Sequence, residues 1–138
     1  MTRITGGCLC GAVRYEADSE PAMVVVCHCA TCQKNTGSAF SLNLGLPADA
    51  VAVTGAALAT YEDRSGASGQ PFQRAFCARC GSPISGRGAA YPDLVFIKAG
   101  TLDDPSWVKP AAHIWCAEKQ PWVVLEEGAA RMPAGPGS

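Results

Sequence analysis

Seven of the eight cysteines in this 138-residue chain are separated from another cysteine by only one or two intervening residues. Hydrophobic packing does not call for that spacing, whereas metal ligation does. The thiols fall as Cys8-Leu9-Cys10, Cys27-His28-Cys29-Ala30-Thr31-Cys32 and Cys77-Ala78-Arg79-Cys80, with Cys116 alone. Any fold of this chain must therefore bring thiols from distant segments to common points. A structural zinc takes four ligands, usually from two short pairs far apart in sequence. Cys77-x-x-Cys80, followed at once by Gly81, reads as a zinc knuckle, because both thiolates can reach one metal from a tight turn and glycine permits its left-handed backbone. Cys8 and Cys10, flanked by Gly6-Gly7 and Gly11, are the best second pair. Cys27, Cys29 and Cys32 then stand alone, and three protein ligands with one open position are how a catalytic zinc is built. A second partition stays open, in which Cys8 and Cys10 close a site with two middle thiols and Cys77 and Cys80 take the third.

The length fits one domain, residues 1–130, with a flexible tail at 131–138 rich in Pro and Gly. A formal charge of -1, with no block of like charge, excludes an electrostatic nucleic-acid footprint and a polybasic membrane patch. Met1 to Gly7 lacks the apolar core of a signal peptide, and no apolar run approaches the roughly 20 residues of a membrane span. The expectation is a cytoplasmic chain, where thiols stay reduced and clusters of them mean metal or thiol chemistry. The oligomeric state is not legible.

Fifteen Gly and ten Pro cut the chain into short pieces, and no segment sustains a helical period over several turns. In Phe40-Ser41-Leu42-Asn43-Leu44-Gly45-Leu46, large apolar residues alternate with small or polar ones, the mark of a half-buried strand. Weaker strand candidates are 12–17, 23–27, 51–53, 57–61, 72–76, 94–99, 113–116 and 122–125, most bounded by turn residues. Closely spaced short strands predict a mainly β fold of compact antiparallel sheets, with helix confined to short turns after Cys29 and near Pro47 to Ala50. Residues 62–71 read as a loop.

Strand alternation throws His28 to the face opposite Cys27 and Cys29, so a hydrogen-bonding structural role stands beside a catalytic one. His113 reads as a strand residue and Cys116 as a core thiol. Three thiolates on a divalent zinc leave a negative site, and Lys34, two residues past Cys32, reads equally as a cation that would favour an incoming anion there and as a solvated lysine on an exposed turn. Gly37 and Ser38 read as a turn, one that either offers a hydroxyl or backbone N–H to the same pocket or serves as a turn alone.

Four separated segments together resemble one family: Gly7-Cys8-Leu9-Cys10-Gly11 through Tyr15, Cys27-His28-Cys29-x-x-Cys32-Gln33-Lys34-x-x-Gly37-Ser38-Ala39-Phe40, Phe76-Cys77-x-x-Cys80-Gly81-Ser82, and His113-Ile114-Trp115 with Lys119-x-Pro121-Trp122. This pattern is similar to the glutathione-dependent formaldehyde-activating enzymes, a family that includes centromere protein V. The resemblance implies a β-tent-like zinc-binding fold. It also implies a structural zinc on Cys8, Cys10, Cys77 and Cys80 and a catalytic zinc on Cys27, Cys29 and Cys32. The implied activity is that of a carbon-sulfur lyase, adding the glutathione thiol to formaldehyde to give S-hydroxymethylglutathione. Residues 65–69 and 86–91 follow no motif and are the regions expected to shape a substrate pocket. Apart from the resemblance, closeness to Cys32 makes Lys34, Gly37 and Ser38 the residues expected to bind the thiol substrate. Two other classes remain beside the enzyme: a non-catalytic zinc-stabilised binding or scaffold protein, in which Cys116, His28 or a partner cysteine completes the middle cluster, and a thiol redox sensor.

Overall fold

A computed structural model describes residues 3–138, so the leaderless start expected at Met1 and Thr2 lies partly outside the described residues. Among those residues the chain forms eleven strands and one α-helix. The strands are β1 (Arg3–Gly7), β2 (Arg14–Asp18), β3 (Met23–Cys27), β4 (Ser41–Pro47), β5 (Val51–Thr54), β6 (Leu58–Asp63), β7 (Phe72–Cys77), β8 (Pro83–Gly88), β9 (Leu94–Lys98), β10 (Ala112–Ile114) and β11 (Ala130–Arg131); α1 is Ala30–Thr36. They build a three-stranded sheet in the order β1-β2-β5 and an eight-stranded sheet in the order β11-β10-β3-β4-β9-β8-β7-β6. Pairing is antiparallel throughout except at β10, which runs parallel to both β3 and β11. The mainly β expectation holds, with this one parallel step.

Alternation along β4 sets the architecture. Leu44 and Leu46 are fully buried and meet Ile84, Ile97, Val13 and Ile4 in the main core between the two sheets. Each such side chain stabilises the fold by about 1.5–3 kcal/mol. Ser41, Asn43 and Gly45 take the other face. The register places Ser41 opposite Cys27 and Asn43 opposite Lys98, so one face of the large sheet is apolar and the other carries thiols, polar groups and an ammonium.

Three segments depart from expectation for local reasons. β8 has Pro, Ser and Gly where strands favour branched residues, yet it pairs with β7 because Gly86 and Gly88 leave room for the Phe72 ring. Residues 122–125 are not a strand: the Lys119 ammonium donates to the carbonyls of Gln120 and Val123 and curls the segment, leaving Trp122 and Val124 exposed. β10 ends at Ile114 because Trp115 is left-handed, with φ of 55°, and Cys116 begins a short 3-10 turn. In the segment expected as a flexible tail, backbone hydrogen bonds join Met132, Pro133 and Ala134 to the body of the fold: Met132 N–H donates to His113, and Trp115, Cys116 and Ala117 donate to Ala134, Met132 and Pro133. The free main-chain groups of 113–117 take up the segment, a partner that its own composition does not reveal.

Candidate metal centres and the cavity beside one of them

Two sulfur clusters form, and they are the two that the spacing separates: Cys8, Cys10, Cys77 and Cys80, and Cys27, Cys29 and Cys32, each with its sulfurs within 4.8 Å of one another. Thiolates at zinc's ~2.3 Å bond length stand ~3.8 Å apart along the edges of a tetrahedron. The Cys8–Cys10 and Cys10–Cys77 sulfurs are 3.6 and 3.8 Å apart, so the donor set fits such an ion. The mixed partition, which drew middle thiols into the first site, is excluded by this geometry.

The four-sulfur cluster is made by two turns. Cys8 Sγ accepts from Val13 N–H, and Gly11, with φ of 82°, lets the chain reverse between Cys10 and β2. Across from it, Gly81, with φ of 79°, donates to the Cys77 carbonyl. Ser82 joins the turns, accepting from Leu9 N–H through its hydroxyl. That hydroxyl, with the Ser82 and Cys10 backbone N–H groups, holds the Cys80 thiol down at about 5, which favours the thiolate a metal needs. Because Cys8 and Cys10 follow β1 and Cys77 ends β7, the cluster ties the small sheet to the large one.

The three-sulfur cluster sits where β3 runs into α1. Cys27 ends the strand, and Cys29 is the helix N-cap, its sulfur accepting from Cys32 N–H at 3.3 Å. Cys32 comes round on the first turn and is buried. Hydrogen bonds from Cys27 and Cys32 pull the Cys29 thiol well below its usual range, while the sharing with Cys29 and Cys32, and then burial, push Cys27 up. Cys32 is pushed up to about 11, a lowering hydrogen bond with Cys27 being outweighed by the one with Cys29 and by burial, so within the trio the thiolate is favoured at Cys29. The three thiols line a cavity of about 800 Å³, and none of the first cluster's thiols does. Residues 65–68 and 88–91, in the two stretches that matched no motif, form part of the wall, with Phe72, Tyr91, Phe96 and Trp115.

His28 falls on the opposite face, as alternation requires, and is fully buried. Its Nε2 is 2.9 Å from His113 Nδ1, and His113 Nε2 is 2.9 Å from Glu126 Oε1. The buried His28 Nδ1 has no hydrogen-bond partner among the described residues. Cys116 Sγ donates to the His113 carbonyl. Neither His28 nor Cys116 joins the trio among the described residues, so neither is the fourth ligand that a closed structural site would draw from this chain.

The residues expected to bind substrate are elsewhere. Gly37 is the left-handed C-cap of α1, with φ of 66°, and its N–H closes the helix on the Gln33 carbonyl. Ser38 and Gly37 line a separate depression with Trp122 and Gln120, and Lys34 is exposed on the helix. None of the three lines the cavity. A residue adjacent in sequence to a helical ligand points around the helix, not into the ligand's pocket. The cation that does reach the trio is Lys98, from β9, which the sequence alone did not single out. Its position in an apolar strand, Leu94-Val95-Phe96-Ile97-Lys98, was the signal that could have found it. Asn43 and Arg74 also line the cavity, and Arg74 is held by Asp63 at 2.8 Å.

A family model described as glutathione-dependent formaldehyde-activating enzyme matches residues 3–118. In the solved structures, a crystal structure of a Rhodobacter sphaeroides protein superposes with a TM-score of 0.59 over 93% of this chain and 98% of that one, at 20% identity, which is a likeness of fold. No curated protein matches the chain.

Proposed function

The chain belongs to the glutathione-dependent formaldehyde-activating enzyme family, and from that premise we propose that it is a zinc-dependent enzyme of the carbon-sulfur lyase type. It joins a thiol such as glutathione to a small carbonyl such as formaldehyde, or reverses that addition. The observation that carries this reading is that the three-sulfur cluster opens on a large cavity while the four-sulfur cluster does not.

Cys8, Cys10, Cys77 and Cys80 would hold the structural ion, and Cys27, Cys29 and Cys32 the catalytic one. Held by Cys27, Cys29 and Cys32, a zinc ion would supply a Lewis acid that lowers the pKa of a bound thiol and makes its thiolate available at neutral pH. Cys29 and Cys32 are fixed by the first turn of α1, and Cys27 by its ladder with Ser41, so the trio needs little rearrangement. Phe72, Phe96 and Trp115 limit water around the reacting carbon. In the reaction a sulfur–carbon bond forms, the carbonyl π pair moves to oxygen, and the proton the thiol lost ends on that oxygen. A reducing compartment keeps all eight thiols free as the reading requires, so the cytoplasm is the proposed location. No helix among the described residues is long and apolar enough to cross a membrane.

Native mass spectrometry should count two zinc ions per chain. NMR of ¹³C-formaldehyde with glutathione should show adduct formed faster than in buffer alone. Cys32→Ser should lower both zinc content and rate. Two zinc ions with no response to any thiol would favour the scaffold reading, and one zinc with readily oxidised middle thiols the sensor reading.

A further inference from the structure

Lys98 is nine-tenths buried at the end of β9, yet among the described residues it forms no ion pair with a carboxylate. An ammonium in that position is costly unless something anionic compensates it. Two of its three N–H groups are committed: Nζ donates to Ser41 Oγ at 2.6 Å and to Asn43 Oδ1 at 3.2 Å. Ser41 in turn donates to Asn43 Oδ1, and Asn43 Nδ2 donates to the Ser41 carbonyl, so the acceptors that aim the ammonium are themselves fixed. The ladder puts the group beside the sulfurs, since Ser41 lies opposite Cys27 and Asn43 opposite Lys98. The other charged side chains of the cavity are engaged: Arg74 with Asp63, and Glu118 with Ala30 N–H. Burial lowers the Lys98 pKa, and the charges of Cys32, Cys27 and Cys29 oppose that.

We propose that Lys98, aimed by Ser41 and Asn43, is the small-anion site of the cavity and a catalytic residue that holds the carbonyl oxygen as it becomes negative. The assignment of the oxygen rests on the thiol-plus-carbonyl reading above. The Lys98 ammonium stays protonated throughout. It donates its third N–H to the oxygen after the sulfur–carbon bond has formed and the π pair has moved, until solvent returns the proton that the thiol released. A preorganised charged donor of this kind is worth about 10²–10³ in rate.

The test uses formate, a one-carbon oxyanion, as a probe of zinc-loaded protein, with turnover measured separately. Lys98→Met should keep both zinc ions and the melting temperature, weaken formate binding about ten- to hundredfold, and lower kcat far more than it raises KM for the thiol. Ser41→Ala keeps the ammonium but loosens its aim, and should weaken formate binding several-fold. It supplies the reading if Lys98→Met does not fold. Formate affinity unchanged in the variant that folds, or no formate binding by the wild-type chain, overturns the site. If formate binds through Lys98 but no thiol and carbonyl combine, the anion site stands and the proposed reaction falls. If turnover is real and the variants retain kcat, the reaction stands and the role of Lys98 falls.

Discussion

Serine at position 77 removes one donor from the cluster that joins the two sheets, and the cost can be worked from the loop it closes. Cys10 and Cys77 are 67 residues apart in sequence and their sulfurs 3.8 Å apart in space. With zinc bound, the cluster is a cross-link, and closing a loop of that length removes about 4.4 kcal/mol of chain entropy from the unfolded state. The short Cys27–Cys32 loop contributes only about 2 kcal/mol by the same relation. Domains of this kind are stable by roughly 5–15 kcal/mol, so losing the long cross-link takes a large share. Cys77 is also fully buried at the end of β7, where a serine hydroxyl finds no equivalent partner. Thermal unfolding followed by circular dichroism should therefore show Cys77→Ser melting on the order of 15 °C below the parent chain, or failing to fold. Cys29→Ser should fall by less than half as much. A chelator titration should track these losses, because metal affinity here is folding free energy. Equal falls for the two variants would refute the division into a fold-holding site and an open one.

Leu44→Ala removes a fully buried side chain from the core between the sheets and should cost about 2–5 kcal/mol in urea unfolding with both metals retained. Asp63, held at about 2 by the Ser65 hydroxyl and N–H and by Arg74, contributes stability above its unfolded pKa of roughly 3.9. That contribution is lost as pH falls from about 4 towards 2, so Asp63→Asn should flatten the acid limb of a stability-versus-pH curve in this window. Gly86→Ala places a methyl group against the Phe72 ring, which lines the cavity, and should displace it. The cost is about 1–3 kcal/mol of stability, with a raised KM for the thiol, and an unchanged KM would show that the ring does not bound the substrate.

Local regularities are legible in the order of the residues alone. The spacing of seven cysteines divides them into the two clusters that assemble, although spacing leaves a second partition open until the sulfurs are placed. Alternation from Phe40 to Leu46 identifies β4 and, with it, which side chains face the core. The same period sends His28 away from the thiols on either side of it. These properties are carried by residues within one or two strand repeats of each other, and backbone geometry alone decides them.

What the sequence did not reveal depends on which strands lie side by side. Lys34 is two residues from Cys32 but points around α1 to solvent, whereas Lys98, distant in the chain, reaches the trio because β9 pairs with β4 and β4 with β3. β8 became a strand through its neighbours, and the chain beyond residue 130 found main-chain partners at 113–117 that its composition gives no hint of. The cysteine pattern determined that this chain is built around two sulfur sites. Only the order and register of the large sheet decided that one of them opens on a cavity, with the buried Lys98 on its wall, because register is set by burial summed over the whole core.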